Sequence, residues 1–265
     1  MKKFIALSIM LALFPAVFMT GCTGSTPTGS SNNAGPTATS TSTPIPGIYL
    51  TPQTTPQAQV SLLTAANYVI LSYTGITNSG PSTTCGGYGV YPDGLTSVTG
   101  SPAIVENCGG AIDVGDATAD QAKKDLGTAY TNIGNRVGGA PIPSGADIGG
   151  TTLYPGLYID NGDLNISSSD LTLDAQGDST AIFIFKVSGV LTVATSRKVT
   201  LANNANAANV YWWLTKNCTL NASVQMKGTI MAYTSVTFGN STVLTGRALA
   251  ENGDVTLLTN TITHP

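Results

Sequence analysis

Charged side chains are what this sequence has least of, since Asp, Glu, Lys and Arg make up 9% of its 265 residues. An ordinary soluble domain carries roughly 25%. The formal net charge is only -3, and no charged residue or histidine occurs between Lys3 and Asp93. A chain with so few basic groups cannot neutralise a row of phosphates, so we expect no nucleic-acid partner. Its solubility must come from the hydroxyl and amide groups of its many Thr, Ser and Asn residues.

Histidine is almost absent as well, because His264, next to the C-terminus, is the single one. The sequence also lacks a nucleophile elbow, a paired-cysteine metal motif and a phosphate-binding loop. These absences exclude catalysis by histidine. We expect neither an enzyme nor a cofactor nor a bound metal.

Acidic residues cluster in residues 160–178, where a calcium site or the carboxylates of a polysaccharide-acting enzyme would have to lie. The sequences Asp160-Asn161-Gly162-Asp163 and Gln176-Gly177-Asp178 are more typical of turns between strands. We therefore expect turns here, and the acidic residues concerned are Asp160, Asp163, Asp170, Asp174 and Asp178.

The start of the chain is typical of an exported protein. Lys2 and Lys3 precede an apolar run at residues 4–18 that is too short to span a bilayer. Met19-Thr20-Gly21-Cys22 resembles a lipobox, the site at which a lipoprotein is cleaved and lipidated on cysteine. We expect residues 1–21 to be a signal peptide and Cys22 to carry the lipid. The protein would then be anchored at the cell surface and touch the membrane only through its lipid, with ordinary cleavage and secretion as the alternative.

Residues 22–58 follow as a Thr-, Ser- and Pro-rich linker with too few apolar groups to form a core. The folded domain is expected at residues 59–265. Export permits a disulfide, and Cys85 with Cys108 is the natural pair. Cys218 is expected to be a small buried hydrophobic residue.

One helix is predicted, with its N-cap at Asp116 and its end near Arg136, before Gly138-Gly139. Alanines and larger apolar residues recur every three or four positions and form one narrow apolar stripe. Such a helix must lie against another apolar surface. The remainder of the chain reads as short strands separated by Asn, Gly, Asp and Ser.

These strands repeat with an apolar-Thr-apolar pattern, at intervals of about 18 residues with one insertion at residues 203–208. Strict alternation places each threonine outside and its apolar neighbours inside. The sequence therefore predicts a ladder of threonines on successive coils of a solenoid. The repeated segments are Leu191-Thr192-Val193, Cys218-Thr219-Leu220, Val236-Thr237-Phe238 and Val255-Thr256-Leu257.

A second ladder is predicted further along each coil, with the outward residues Thr172, Thr200, Lys227, Thr245 and Thr263. The third side consists of nearly continuous apolar runs, as expected for strands covered on both faces. We expect the helix to cover that third side. The outward column beside the second ladder is poorer in threonine, with Asp170, Lys198, Gln225, Val243 and Thr261.

Several further segments occur in a characteristic order within residues 60–265. They are Leu63-Thr64-Ala65-Ala66-Asn67-Tyr68-Val69-Ile70-Leu71, Thr77-Asn78-Ser79-Gly80-Pro81, Gly115-Asp116-Ala117-Thr118-Ala119, Leu153-Tyr154-Pro155-Gly156-Leu157-Tyr158, Leu173-Asp174-Ala175-Gln176-Gly177-Asp178, Ile182-Phe183-Ile184-Phe185 and Gly246-Arg247-Ala248-Leu249-Ala250-Glu251-Asn252-Gly253. In this order they resemble the ice-binding-like domain of microbial antifreeze proteins. The resemblance implies a mainly β fold, an irregular right-handed β-helix of triangular cross-section with one long α-helix alongside.

The resemblance also implies a flat face that binds ice, often with a Thr-Ala/Gly-X-Thr/Asn repeat. This sequence departs from the repeat at Thr195-Ser196-Arg197-Lys198, Ala222-Ser223-Val224-Gln225 and Asn240-Ser241-Thr242-Val243. Lys198 and Lys227 lie on the face that the family would use, whereas no charge interrupts the first ladder. We therefore expect weakened ice binding on that face.

The expected partner is the ice surface with its ordered water, bound by a monomeric protein. An adhesin or structural solenoid without ice affinity is the alternative, and a polysaccharide-acting enzyme is a third possibility. The candidate ice-binding residues are Thr172, Thr200, Thr245, Thr261 and Thr263 on one side and Thr192, Thr219, Thr237 and Thr256 on the other.

Overall fold

A computed structural model describes residues 56–265 of the chain. The expected signal peptide, the lipidation site Cys22 and the linker up to residue 55 lie outside the described residues. None of the helices within residues 56–265 has the length and apolar character needed to cross a bilayer.

The described chain contains 22 β-strands, one α-helix and three short 3-10 helices at Leu63–Asn67, Leu95–Ser97 and Ala207–Asn209. In chain order the main elements are β1 (Tyr68–Ser72), β2 (Gly75–Asn78), β3 (Thr83–Cys85), β4 (Gly87–Val90), β5 (Val98–Gly100), β6 (Val105–Glu106), β7 (Ile112–Val114), α1 (Ala117–Gly134), β8 (Ala140–Ile142), β9 (Thr152–Leu153), β10 (Gly156–Asp160), β11 (Leu164–Ile166), β12 (Leu171–Asp174), β13 (Phe183–Val187), β14 (Leu191–Val193), β15 (Val199–Ala202), β16 (Val210–Leu214), β17 (Cys218–Leu220), β18 (Gln225–Ala232), β19 (Val236–Phe238), β20 (Val243–Ala250), β21 (Asp254–Leu257) and β22 (Thr261–Thr263).

These strands pair in parallel and wind into a three-walled solenoid, which confirms the predicted fold class. The threonine wall is the seven-stranded sheet with the order β11-β14-β17-β19-β21-β2-β5. The mixed wall combines the three-stranded sheet β15-β12-β9 with residues 225–227 of β18, residues 243–245 of β20, and β22, β3 and β6. The covered wall contains β8, β10, β13, β16, the second halves of β18 and β20, and β1, β4 and β7.

Strands β18 and β20 belong to two walls because each turns a corner at a glycine. Gly228 and Gly246 have φ angles of 102° and 154°, in the region that favours glycine. A Cβ at Gly246 would lie only 1.9 Å from the carbonyl oxygen of Gly228. Glycine at this corner therefore lets neighbouring coils stack closely while the chain changes direction.

The coils do not stack in sequence order. Strand β1 pairs with β20, β2 with β21 and β3 with β22, so the first coil of the domain lies on the last one. Helix α1 then connects this end of the solenoid to β8, which pairs with β10 at the other end. The first and last coils of the folded domain are thus joined by contacts between residues far apart in sequence.

Helix α1 lies over the covered wall, as predicted. Its N-cap is Asp116, whose carboxylate accepts the backbone N–H groups of Thr118 and Ala119 at 3.0 and 2.9 Å. The helix ends at Gly134 with Asn135 as its C-cap, slightly earlier than the end predicted near Arg136. Its stripe of Ala122, Leu126, Ala129 and Ile133 forms one buried cluster with outward residues of the covered wall, including Leu157, Ile184, Tyr211, Trp213 and Met231.

A second and larger core fills the interior of the solenoid. Three of its aromatic rings stack on consecutive coils, with centroid distances of 5.3 Å from Tyr158 to Phe185 and 4.1 Å from Phe185 to Trp212. Cys218 is fully buried in this interior, in line with the sequence interpretation, and burial raises the pKa of its thiol. Cys85 and Cys108 form a disulfide near the end of the mixed wall.

Candidate functional site

The threonine wall presents one continuous column of outward residues across all its strands. Strand pairing places Thr219 between Thr192 and Thr237. Thr237 in turn pairs with Thr256 on the next coil. All four threonines of the first predicted ladder therefore share one wall, each between two buried residues of its strand. The complete column is Asn165, Thr192, Thr219, Thr237, Thr256, Thr77 and Thr99.

Sequence reasoning missed three members of this column, Asn165, Thr77 and Thr99. Thr77 pairs with Thr256, and Thr99 pairs with Thr77, because the first coils of the domain stack on its last coil. A signal was present, since Ile76-Thr77 and Val98-Thr99 repeat the apolar-Thr step. The interval between these strands and the other repeats gave no indication that they continue the same ladder.

The hydroxyls of the column differ in their partners. Within the described residues, Thr192 and Thr237 have no hydrogen-bond partner for their hydroxyl groups. The Thr77 and Thr99 hydroxyl oxygens are 3.3 Å apart, and Thr256 donates to Asp254 at 3.0 Å. Much of the hydrogen-bonding capacity of the column thus faces solvent and is available to bind water.

Carboxylates lie at the margins of the threonine wall and are held by its own groups. The backbone of Asp147 forms a β-bridge with Asn165 at the end of the column. Its carboxylate accepts hydrogen bonds from the backbone N–H groups of Gly149, Ser167 and Ser168 and from the Ser167 hydroxyl, at 2.6 to 2.9 Å. Burial alone would raise the pKa of Asp147, but these hydrogen bonds outweigh it and lower the pKa to about 2. Asp147 is therefore an ionised structural group at neutral pH, in register with Asn165 at the end of the column.

The mixed wall carries the second predicted ladder in two separate pieces. Thr152, Thr172 and Thr200 are in register within its three-stranded sheet. Lys227, Thr245 and Thr263 are in register in the other piece. Between the two pieces, the pairing is reduced to an isolated bridge from Lys198 to Gln225. The ladder is therefore interrupted at the coil that carries the insertion at residues 203–208.

Charged groups also occupy the mixed wall. The Lys227 ammonium donates to the Thr245 hydroxyl at 2.9 Å, so it uses one of the ladder hydroxyls directly. Arg197 lies 3.9 Å from the Asp170 carboxylate. The neighbouring column continues from Lys198 and Gln225 through Val243, Thr261 and Thr83, with Val105 at its end. Only its Thr261–Thr83 part resembles the threonine wall.

The segments aligned with the Thr-Ala/Gly-X-Thr/Asn repeat form the turns between the threonine wall and the mixed wall. Ser196, Ser223 and Ser241 occupy the second position of the repeat and have φ angles of 61°, 61° and 59°. This left-handed conformation is costly for a serine and easy for a glycine. These three turns therefore keep a common conformation although the residues of the repeat have changed.

The carboxylates in the segment 160–178 stabilise turns and link neighbouring coils. Asp160 accepts from Gly162 N–H at 2.7 Å, Asp163 from Val190 N–H at 2.8 Å, and Asp174 from Asn203 at 2.9 Å. The described residues contain no group of three or more His, Cys, Asp and Glu that could hold a metal. His264 is exposed and lies 3.5 Å from Arg247. The two open walls thus offer rows of hydroxyls and no arranged acid and base.

Comparison with known proteins agrees with this architecture. The family model described as Ice-binding-like matches residues 70–263. An ice-binding protein from Nostoc sp. (strain HG1) is 35% identical over 209 residues, covering 78% of this chain and 75% of the relative. One from Flavobacterium frigoris (strain PS1) is 36% identical over 217 residues, covering 78% and 76%.

Solved structures show the same relation. The crystal structure of an ice binding protein from an Antarctic Biological Consortium matches with a TM-score of 0.76 and 37% sequence identity, covering 82% of this chain and 96% of that chain. The Shewanella frigidimarina ice-binding protein_1 DUF3494 domain matches with a TM-score of 0.72 and 25% identity, covering 79% and 98%. With the match of the family model to residues 70–263, these likenesses establish that the chain belongs to the ice-binding-like family.

Proposed function

We propose that this protein binds ice through an open, threonine-bearing wall of its solenoid and that it is not an enzyme. The observation that carries the proposal is the repetition of outward threonines in strict register on successive parallel coils. The relatives are named as ice-binding proteins, which supports the same function here. The alternative of an adhesin or purely structural solenoid is not favoured.

The geometry explains how such a wall holds ice. Parallel coils lie about 4.8 Å apart, so each column of threonines is a row of hydroxyls at a constant pitch. Each hydroxyl can fix one or more waters, and the adjacent methyl groups restrict the other positions that these waters can occupy. Because the wall is rigid before it meets ice, little conformational entropy is lost on binding. Many weak contacts then add to a stable attachment.

Ice recrystallisation is the appropriate test of this function. The purified domain, residues 56–265, is expected to slow the coarsening of ice grains and to be enriched in a slowly grown ice fraction. A double variant, Thr219→Lys with Thr172→Lys, places a strongly hydrated ammonium on each open wall and should lose both effects. If grains coarsen equally fast with the wild-type domain and with buffer, the proposed function is wrong.

We also propose that the protein is exported, anchored at the cell surface through lipid on Cys22 and monomeric, with residues 59–265 held away from the membrane by the linker. The lipobox-like Met19-Thr20-Gly21-Cys22 sequence supports the anchor. Expression of the full chain and of Cys22→Ser provides the test. The wild-type chain should enter the membrane fraction and the variant should not, and equal partitioning of the two would contradict the anchor.

A further inference from the structure

We propose that a strip of tyrosines beside helix α1 is a second binding site of this protein and takes a neutral polysaccharide chain. The tyrosine strip consists of Tyr91, Tyr73, Glu251 and Tyr233 and runs along the corner between the covered wall and the threonine wall. It lies outside both open walls and is independent of the proposed ice binding. Its register, its exposed rings and its charge balance carry the inference.

The four residues occupy corresponding positions on neighbouring coils. Each follows directly on the last residue of a covered-wall strand, β4, β1, β20 or β18. The Glu251 N–H donates to the carbonyl of the residue that precedes Tyr233 at 2.8 Å, and the Tyr91 N–H donates to the carbonyl of the residue that precedes Tyr73 at 3.2 Å. Strand β1 pairs with β20, so Tyr73 lies on the coil adjacent to Glu251. With about 4.8 Å between coils, Tyr233 and Tyr73 lie about 10 Å apart with Glu251 between them.

The rings of the tyrosine strip are held in place but remain accessible. Tyr73 and Tyr233 are 40% and 46% exposed, whereas Trp213 on the same wall is buried beneath α1. The Tyr233 ring centroid lies 6.0 Å from that of Tyr130 on the helix, and the Lys123 ammonium lies 5.7 Å from the centroid of Tyr73. Within the described residues, neither the Tyr73 nor the Tyr233 hydroxyl has a hydrogen-bond partner. Each tyrosine therefore offers a ligand both apolar ring surface and a hydroxyl.

The charges along the tyrosine strip balance one another. The Oε2 atom of Glu251 is buried 3.9 Å from the Lys123 ammonium, and Lys124 pairs with Asp120 at 2.7 Å. The Oε1 atom of Glu251 faces Gly127 of α1, where a Cβ would approach it to 3.1 Å. Glycine in the middle of a helix costs stability relative to alanine. At this position it leaves a carboxylate oxygen open to a ligand.

These features fit a neutral polysaccharide better than other ligands. The C–H groups of a sugar ring pack against the negative face of an aromatic ring, and a carboxylate accepts strong hydrogen bonds from sugar hydroxyls. An extended sugar chain repeats with a spacing close to that of the coils, so successive sugars meet successive residues of the strip. The balanced charges favour a neutral chain, and the strip itself contains no basic residue, which disfavours nucleic acid.

Depletion of the protein from solution by insoluble polysaccharides tests the inference at room temperature, where no ice is present. The chain from residue 22 onward, with Cys22→Ser to prevent lipidation, is mixed with cellulose, chitin or curdlan. We expect binding to at least one of them. The double variant Tyr73→Ala with Tyr233→Ala should weaken that binding at least about tenfold. The control Tyr154→Ala removes a half-buried tyrosine at the opposite corner of the covered wall and should change binding by less than about twofold.

A substitution on the helix gives a second, independent test. Gly127→Ala places a methyl group against Oε1 of Glu251 and should weaken polysaccharide binding several-fold. The thermal midpoint should stay unchanged or rise, because alanine favours the helix. Weaker binding with an intact fold is therefore the expected result for this variant.

The outcomes separate this inference from the proposed function. Lost polysaccharide binding in the double variant, with unchanged inhibition of ice recrystallisation, supports a second site. The inference is overturned, and ice binding left intact, if none of the three polysaccharides binds, if the double variant still binds, or if Tyr154→Ala weakens binding equally. Loss of both activities in a folded double variant also overturns it, since the strip would then not be a separate site.

Two further results are decisive. Self-association of the wild-type chain in analytical ultracentrifugation that is lost in the double variant would assign the strip to a second copy and overturn the inference. If the double variant loses the wild-type circular dichroism spectrum, Gly127→Ala decides alone, with weakened binding in support and unchanged binding against.

Discussion

The covered wall and the threonine wall are built from strands of the same coils, yet they have opposite surfaces. On the covered wall, outward positions hold Tyr211, Trp213 and Met231, all buried beneath α1. On the threonine wall, the corresponding outward positions hold threonines that remain in contact with solvent. The backbone is parallel and in register on both walls. Only the outward side chains decide whether a wall is buried or remains open to solvent.

This contrast separates stability from binding. The inward residues of every strand contribute to the interior core, and the covered wall adds a second core with the helix. The open walls add little apolar burial on their outer side, so their residues can vary at small cost in folding free energy. Substitutions on the covered wall should therefore affect stability, and substitutions on the open walls should affect ice binding.

Removal of an anchor of the covered wall has the largest expected effect. Trp213 packs against Tyr130 of α1 with ring centroids 4.9 Å apart, and its indole N–H donates to the Tyr130 carbonyl at 2.9 Å. Trp213→Ala should lower the free energy of unfolding by about 3 to 5 kcal/mol, because it leaves a cavity beneath the helix.

Chemical denaturation monitored by circular dichroism measures this loss, with Thr237→Ala as the control on the open wall. The control should differ from the wild-type domain by less than about 0.5 kcal/mol. Similar losses in the two variants would break the distinction between the walls.

The buried Lys123 gives the next effect, which depends on pH. Its ammonium lies beneath the helix and donates to the carbonyls of Ala250 and Glu251 at 2.7 and 2.8 Å. Burial lowers the pKa of Lys123 to about 8, against the opposing attraction of the Glu251 carboxylate. The unfolded chain therefore binds the proton more tightly than the folded protein does. Stability should rise with pH from roughly 8 to 10, by up to about 3 kcal/mol.

A Lys123→Met variant is the control for this pH dependence, and thermal unfolding at a series of pH values is the measurement. The rise between roughly pH 8 and 10 should disappear in the variant. Above that range both proteins should lose stability, since burial raises the pKa of Tyr130 and Tyr211 in the folded state. If the stability of the two proteins changes in parallel between roughly pH 8 and 10, Lys123 is not responsible for the rise.

Substitution of a lysine on the mixed wall should have the smallest effect. Lys227→Thr removes the charge from that ladder and frees the Thr245 hydroxyl. Because this substitution leaves the column of the threonine wall unchanged, recrystallisation inhibition should change by less than about twofold, and stability by less than about 0.5 kcal/mol. A manyfold gain in activity would instead identify the mixed wall as the operative surface, limited by its lysine.

Much of this architecture could be predicted because alternation along a strand is a local property. The pattern around Thr192, Thr219, Thr237 and Thr256 fixed which residues point outward, and the observed register confirms their alignment. The N-cap at Asp116 was equally local, since it depends on a side chain and the two backbone N–H groups that follow it closely. The end of the helix was placed less well, because Asn135 and Arg136 have no comparably strong preference.

The parts that were missed depend on contacts distant in sequence. Thr77 joins the column only because β2 stacks on β21, and no spacing within the first coil indicates this partner. The division of the mixed wall was also invisible, because the insertion at residues 203–208 leaves the alternation of both neighbouring strands intact. The candidates Thr172, Thr200, Thr245, Thr261 and Thr263 all lie on that wall, but on separate pieces of it.

The sequence by itself determined the inward and outward residues of each coil, the need for a helix over the apolar side and the membership of a family of solenoids. These follow from side-chain polarity and periodicity, which each segment carries on its own. Only the tertiary structure decided which coils are neighbours, how long the threonine column is and which wall remains continuous. The physical reason is that a row of hydroxyls at constant pitch exists only after separate segments have paired in register.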